Sequence, residues 1–166
     1  NIVFMGMGEP LDNVDNVAKA VDILHDQMGF GLAKRRVTVS TSGIVPQISR
    51  VAEMGVRLAI SLNATTNEIR DRIMPINRKY PLEKLMEACR EYATVSGDHV
   101  TFEYVMLKGI NDSIDDAKRI VQLTRDIPSK INLIPFNEHP DSGFHRPQYK
   151  DVGEFQKTLM NMGRHV

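Results

Sequence analysis

The chain has one cysteine, Cys89, no tryptophan and no excess of either charge, since 21 Lys and Arg balance 21 Asp and Glu. A single cysteine excludes an internal disulfide framework and a cysteine-ligated metal cluster built from this chain alone. Zero net charge removes any global pull toward polyanions or membrane surfaces, leaving only local patches. No apolar run approaches the roughly 18 residues of a membrane span. No leader-like stretch is present either, so a cytoplasmic protein without membrane association is expected. The five histidines, His25, His99, His139, His145 and His165, show no metal-ligand spacing. There is no Gly-Lys-Ser/Thr phosphate loop and no nucleophile elbow. Low-complexity tracts and obvious linkers are missing as well.

What is present is strand–helix alternation in a chain that is 42% hydrophobic. Apolar runs predict strands at Ile2–Met5, Arg36–Thr41, Arg57–Leu62, His99–Leu107 and Lys130–Phe136. Another strand is expected to begin at His165-Val166. Helical spacing of apolar residues predicts a helix carrying Val14, Val17, Val21, Leu24 and Met28, and a second over Ile44, Ile48 and Val51. A third runs from Leu82 to Ala93, with Pro81 in its first turn. A fourth carries Ile114, Ala117 and Ile120 behind a Ser113/Asp116 capping box. Val152, Phe155, Leu159 and Met160 predict a fifth, and Thr65 with Glu68 caps a short turn before Pro75. Apolar strands alternating with helices imply a mainly parallel sheet, either an open sheet or most of a barrel.

In both architectures ligands bind at the carboxyl ends of the strands. Those ends read Gly6–Glu9, Ser40-Thr41-Ser42-Gly43, Ser61-Leu62-Asn63, Met106–Gly109 and Pro135-Phe136-Asn137. Small hydroxyl, amide and carboxylate groups beside glycines suit a polar small molecule. Gly8 lets a ligand approach the backbone, and Glu9 beside it offers a carboxylate for an ammonium; the plainer alternative for Glu9 is a solvated turn. Ser40, Thr41 and Ser42 suit a helix cap as well as a ligand. Ser61 and Asn63 share one side of an extended segment and suit ribose hydroxyls or a strand-end turn. Asn137 offers donors and acceptors to a nucleoside, or to its own loop. Cys89 lies on an apolar helix face and reads as core. Lys34-Arg35-Arg36 and the Arg70, Arg72, Arg78, Lys79 cluster read as solvated surface, the latter also as a phosphate contact.

The segments Gly6-Met7-Gly8-Glu9-Pro10-Leu11, Val39-Ser40-Thr41-Ser42-Gly43, Ser61-Leu62-Asn63-Ala64, Arg72–Asn77, Glu103–Leu107 and Lys130–Asn137 follow in that order along the chain, and the match they belong to covers nearly all of it. On them the chain resembles the RlmN/Cfr group of radical S-adenosylmethionine (SAM) RNA methyltransferases, nearer its RlmN branch. The resemblance implies an α/β fold, a partial (β/α)6 TIM-like radical SAM barrel truncated at both ends. It implies methylation of C2 of adenine in 23S rRNA, and in tRNA, with SAM and a [4Fe–4S] cluster as cofactors and an electron donor to reduce the cluster. By resemblance Gly8 and Glu9 bind the SAM amine, Ser40 contacts the cofactor, Ser61, Leu62 and Asn63 line its site, and Asn137 holds its nucleoside.

Two features depart from that pattern. The Cys-x-x-x-Cys-x-x-Cys cluster motif and the methyl-carrying cysteine are absent, and Cys89 matches neither. Asn63 stands where the family often has His. We therefore expect residues 1–166 to be the central and C-terminal part of a radical SAM core, an internal fragment that holds no catalytic and no metal-ligating residue and is inactive alone. Exposed sheet edges are expected to let it self-associate. Two other readings remain at this stage: another TIM-like barrel enzyme of aldolase or isomerase type, and a non-catalytic folded module.

Overall fold

Five short β-branched and apolar segments form one parallel sheet in the computed structural model, which describes residues 1–166. The strands are β1 (Ile2–Phe4), β2 (Val37–Thr41), β3 (Arg57–Ser61), β4 (Val100–Met106) and β5 (Ser129–Pro135). The helices are α1 (Val14–His25), α2 (Ile48–Met54), α3 (Asn67–Ile73), α4 (Leu82–Ser96), α5 (Ile114–Leu123) and α6 (Tyr149–Asn161). Strands pair in chain order, β1-β2-β3-β4-β5, every pair parallel. Sequential order is what separates a barrel-type winding from a doubly wound open sheet. Right-handed crossovers that always step the same way place the helices on one face and leave the other concave.

The alternation along β4 shows the two faces. Val100, Phe102, Tyr104 and Met106 are buried, whereas Thr101, Glu103 and Val105 between them are half-buried. The first set packs with Val39, Leu58 and Ile60 against Val51, Leu85, Cys89, Tyr92 and Ile120 of the helices. Tyr104 stacks on Phe155 of α6 with ring centroids 5.7 Å apart. The Tyr92 hydroxyl, buried with its ring, donates to the Val56 carbonyl at 2.8 Å. The second set faces the concavity, toward which the carboxyl ends of the strands also open.

Local chemistry sets the helix bounds. The Ser113/Asp116 capping box opens α5. Gly55 and Gly97 close α2 and α4 in left-handed conformations, φ 68° and 65°. The structure departs from expectation at five points, the first being Ile44, which lies outside α2, ahead of a 3-10 turn at Val45–Gln47. Asp26 ends α1 with an extended turn, so Met28 is outside it and 96% exposed. Met160 faces solvent on α6. The N-cap of α3 is Thr66, whose side chain accepts from the Ile69 amide, because Thr65 is drawn away to Asp116 and Arg119. Pro81 is the N-cap of α4 and lies just before its first turn. The sheet continues past α6 as an isolated bridge, Lys130 to His165, with the Ile131 amide donating to the His165 carbonyl at 2.8 Å. No helix is long and apolar enough to cross a membrane.

Candidate functional site

The turn after β1 depends on two glycines. Gly6 and Gly8 adopt φ of 139° and 118°, which side-chain-bearing residues rarely do, and nothing lies within 4 Å of where a Cβ would stand on either. Their requirement is conformational, and it leaves open space above the turn. Glu9 follows in an extended conformation and caps the single turn of 3-10 helix at Pro10–Asn13, its Oε1 accepting from the Leu11 amide at 3.0 Å. Its Oε2 accepts from both the amide and the hydroxyl of Ser42, each at 2.7 Å. One carboxylate thus ties the end of β1 to the end of β2.

Ser42 is held from behind as well. Its carbonyl accepts from Nη2 of Arg70 at 2.7 Å. The same nitrogen donates to the Ser61 carbonyl at 3.0 Å, Nε to the Leu62 carbonyl at 3.0 Å, and Nη1 to Oδ1 of Asn77 at 3.1 Å. Arg70 is 0% exposed. This corrects its reading as solvated surface or phosphate contact: its planar fork faces inward and fastens the ends of β2 and β3 together. Burial lowers its pKa to about 10, partly offset by Asp71, so it stays charged at neutral pH.

Asn63 performs a different task. It is the one non-glycine residue at positive φ, 55°, a conformation that asparagine tolerates. Its Oδ1 accepts from the Val105 amide at 2.9 Å, extending the β3–β4 ladder past Ser61, and its Nδ2 meets the Met74 sulfur at 3.3 Å. Asn111, fully buried, completes the splice: Nδ2 donates to the carbonyls of Asn63 and Val105, each at 2.7 Å, and Oδ1 accepts from the Leu107 amide at 2.6 Å.

A polar cavity opens at this end of the sheet, lined by Met5, Gly6, Gly8, Glu9, Pro10, Ser40, Thr41, Ser42 and Ser61. Four of the residues expected at a ligand site, Gly8, Glu9, Ser40 and Ser61, therefore meet in one place. Three do not line it. The Leu62 side chain is buried in the core, and its amide and carbonyl are committed to the Glu103 carbonyl and to Arg70. Asn63 is turned to β4, and Asn137 is exposed at the end of β5. A larger groove lies on the outer surface between α2 and α4, lined by Val45, Ala52, Lys84 and Glu91 among others; it is on the convex side, away from the strand ends.

Sequence reasoning passed over Ser42 as a partner of Glu9 and Asn111 as a splice between strands, and read Arg70 as facing solvent. For Arg70 a signal existed: it stands three positions before Ile73 on the same face of α3, which argues for an inward position. For Ser42 the partners, Glu9 and Arg70, are distant in the chain, and Asn111 joins the nearby Leu107 and Val105 to the distant Asn63, so no local pattern marks either.

The donor set fits SAM in part. Glu9 uses three of the roughly four acceptor sites of a carboxylate, which leaves capacity for an ammonium donor at the cavity wall. The residues present do not fit an iron–sulfur cluster. No group of three or more His, Cys, Asp or Glu side chains comes together to hold a metal. Cys89 is buried in the core, with its thiol pKa pushed up to about 12 by burial.

A sequentially wound parallel sheet with a small polar cavity at its carboxyl ends defines a barrel-type α/β protein. Residues 1–122 match the radical SAM superfamily, and the chain belongs to it. Within that superfamily it is 54% identical, over its whole length, to the dual-specificity RNA methyltransferase RlmN of Bdellovibrio bacteriovorus, of which it covers 42%. It is 57% identical to RlmN of Rhodospirillum rubrum, over 98% of this chain and 39% of that protein. A radical SAM methyltransferase from Sphaerobacter thermophilus superposes with a TM-score of 0.96 at 42% identity, covering 99% of this chain and 49% of that one. A domain of pyruvate-formate lyase-activating enzyme from Bacteroides vulgatus shares the fold at 16% identity, TM-score 0.76. The chain spans less than half the length of the curated relatives it matches.

Proposed function

We propose that this chain is the SAM-binding portion of a radical SAM RNA methyltransferase, and that the protein it belongs to methylates C2 of adenine in 23S rRNA and in tRNA. Residues 1–166 are then the central and C-terminal part of the core. The cluster-ligating cysteines, the methyl-carrying cysteine and much of the RNA surface lie in other residues of that protein. The observation that supports this reading best is the convergence of Gly8, Glu9, Ser40 and Ser61 on one polar cavity, in a chain so similar to dual-specificity RNA methyltransferases.

Each residue has a physical role in that reading. The backbone at Gly6 and Gly8 lets the amino-acid end of SAM lie against the turn. Glu9, already oriented by Leu11 and Ser42, accepts from the ammonium. Ser40 and Ser61 offer hydroxyls from neighbouring strands, and Asn137 waits at the end of β5 for the nucleoside. When bound, SAM supplies the methyl group and the radical chemistry of the superfamily; the chain's own residues bind, orient and shield it.

Calorimetric titration of SAM into the 166-residue chain tests the site. Binding by the parent and at least about tenfold weaker binding by Glu9→Ala are expected, for loss of a charge-assisted hydrogen bond. Equal binding by both, or none by either, removes the assignment. The substrate reading is tested on the whole protein, reconstituted with iron and sulfide under a reductant, by mass spectrometry of a 23S rRNA fragment and of tRNA. Neither RNA gaining a methyl group at adenine C2 overturns it.

A further inference from the structure

The segment Arg72–Asn77 places no side chain on the ligand cavity. It ends α3 and forms a 3-10 turn at Pro75–Arg78, and that path brings Asn77 back onto Arg70. Both side chains are buried. Arg70 gives its whole fork to neutral oxygens: the carbonyls of Ser42, Ser61 and Leu62, and Oδ1 of Asn77. None of these is a carboxylate, so direct ion pairing does not account for burying this charge. Asn77 continues the line outward, its Nδ2 donating to Oδ1 of Asp71 at 2.6 Å and to Oδ1 of Asn67 at 3.1 Å. Inward, the line runs from Nη2 of Arg70 to the Ser42 carbonyl at 2.7 Å, and from the Ser42 amide and hydroxyl to Oε2 of Glu9. The backbone between these contacts is tight. The Gly43 amide donates to Oγ1 of Thr41 at 3.1 Å. A Cβ on Gly43 would stand 3.2 Å from Cδ1 of Leu85 and 3.5 Å from Nη2 of Arg70.

Ser42 is therefore held on both sides, its carbonyl on the guanidinium and its two donors on the carboxylate. A Ser42 backbone that turns away from Arg70 carries those donors away from Glu9. We propose that Arg70, backed by Asn77, is a positioning residue of the SAM site: through Ser42 it aims the Glu9 carboxylate at the bound ammonium. The inference rests on the SAM reading above. Arg70 touches no ligand in this arrangement, and its effect is pre-organisation. A carboxylate already fixed in direction loses little freedom when a ligand arrives. Once the clamp is loosened, Glu9 must be ordered at the moment of binding. Immobilising one freed side chain corresponds to about threefold to tenfold in affinity.

The test is a double-mutant cycle in SAM affinity over the parent chain, Arg70→Lys, Glu9→Ala and the double variant. Arg70→Lys keeps a cation but cannot reach three carbonyls and Asn77 at once, so affinity should fall about threefold to tenfold. On the Glu9→Ala background there is no carboxylate left to aim, and Arg70→Lys should change affinity less than about twofold. A merely structural role lowers affinity by the same factor on both backgrounds. Tyr92→Phe removes a buried hydrogen bond to Val56, at the opposite end of β3, and should leave SAM affinity within about twofold, which separates aiming from general loss of stability. Hydrogen exchange gives a readout without SAM: relative to core amides such as Phe102, the Ser42 amide should exchange about tenfold faster in Arg70→Lys, and no faster in Tyr92→Phe. Where Glu9→Ala binds too weakly to compare, this exchange result decides. If Arg70→Lys does not fold, Asn77→Ala takes its place, with a smaller change of the same sign. Equal factors on the two backgrounds, or an unchanged Ser42 exchange rate, overturn the inference while leaving the SAM site in place. Absence of SAM binding by the parent overturns both.

Discussion

The amide and the hydroxyl of Ser42 both donate to a single oxygen of Glu9, each at 2.7 Å, across 33 residues of sequence. The pair joins the first two strand ends and fixes where the Glu9 carboxylate points. Behind it the Ser42 carbonyl rests on Arg70, whose guanidinium also holds the ends of β3. The wall of the cavity is therefore organised from the buried side.

Ser42→Ala keeps the amide donor and removes the hydroxyl donor. It is expected to cost about 1–2 kcal/mol of stability, in the range of a single hydrogen bond to a charged group at a half-buried site. It should also weaken SAM binding less than Glu9→Ala does. Urea unfolding and calorimetry measure the two. A SAM affinity lower in Ser42→Ala than in Glu9→Ala contradicts the assignment of Glu9 as the direct contact.

Arg70→Met leaves the carbonyls of Ser42, Ser61 and Leu62 without their donor in a buried setting. A loss of about 3–5 kcal/mol is expected. Arg70→Lys restores the charge but not the fork, so it should recover only part of the loss. An unchanged urea midpoint for Arg70→Met would show that the clamp contributes nothing.

Asp116 sets a pH dependence of stability. Burial alone raises its carboxyl pKa, but hydrogen bonds from Ser113, Thr65 and Arg119, with the Arg119 charge, outweigh burial and hold it below the usual value. A carboxyl depressed in the folded state contributes stability that is complete above its unfolded value, about 3.9. That stability is lost as pH falls through the folded value. Asp116→Asn should flatten this acid limb in urea midpoints taken between about pH 5 and pH 2.5. An equally steep limb in the variant assigns the effect to other carboxylates.

β1 is paired only with β2, and Val3 on it is 49% exposed. An open strand edge invites pairing with another copy. Multi-angle light scattering should show mass rising with concentration, and Val3→Lys should suppress the rise. A mass of one chain at the highest concentration for the unaltered protein rules out association through this edge.

Much of the fold was legible because its signals are local. Every strand lies within a residue of its apolar run, and the capping box of α5 stands where Ser113 and Asp116 predict it. The errors have local causes too. Thr65 and Thr66 are equivalent caps by pattern, and only the pull of Asp116 on Thr65 selects Thr66. Arg70 looks like its exposed neighbours Arg72 and Arg78 until α3 turns it inward. Gly8, Glu9, Ser40 and Ser61 were legible as neighbours around one cavity because each follows the same rule, a small or polar residue at a strand's carboxyl end.

By itself the sequence determined the alternation of strands and helices, the glycine turn and the resemblance to a family. These rest on residue types and on spacings of a few positions, which chain geometry converts directly into structure. Only the tertiary structure decided the winding order, the inward turn of Arg70, the turning of Asn63 to Val105, and the line from Glu9 to Ser42. Those join residues tens of positions apart, and such distances close only when the sheet brings its strand ends together.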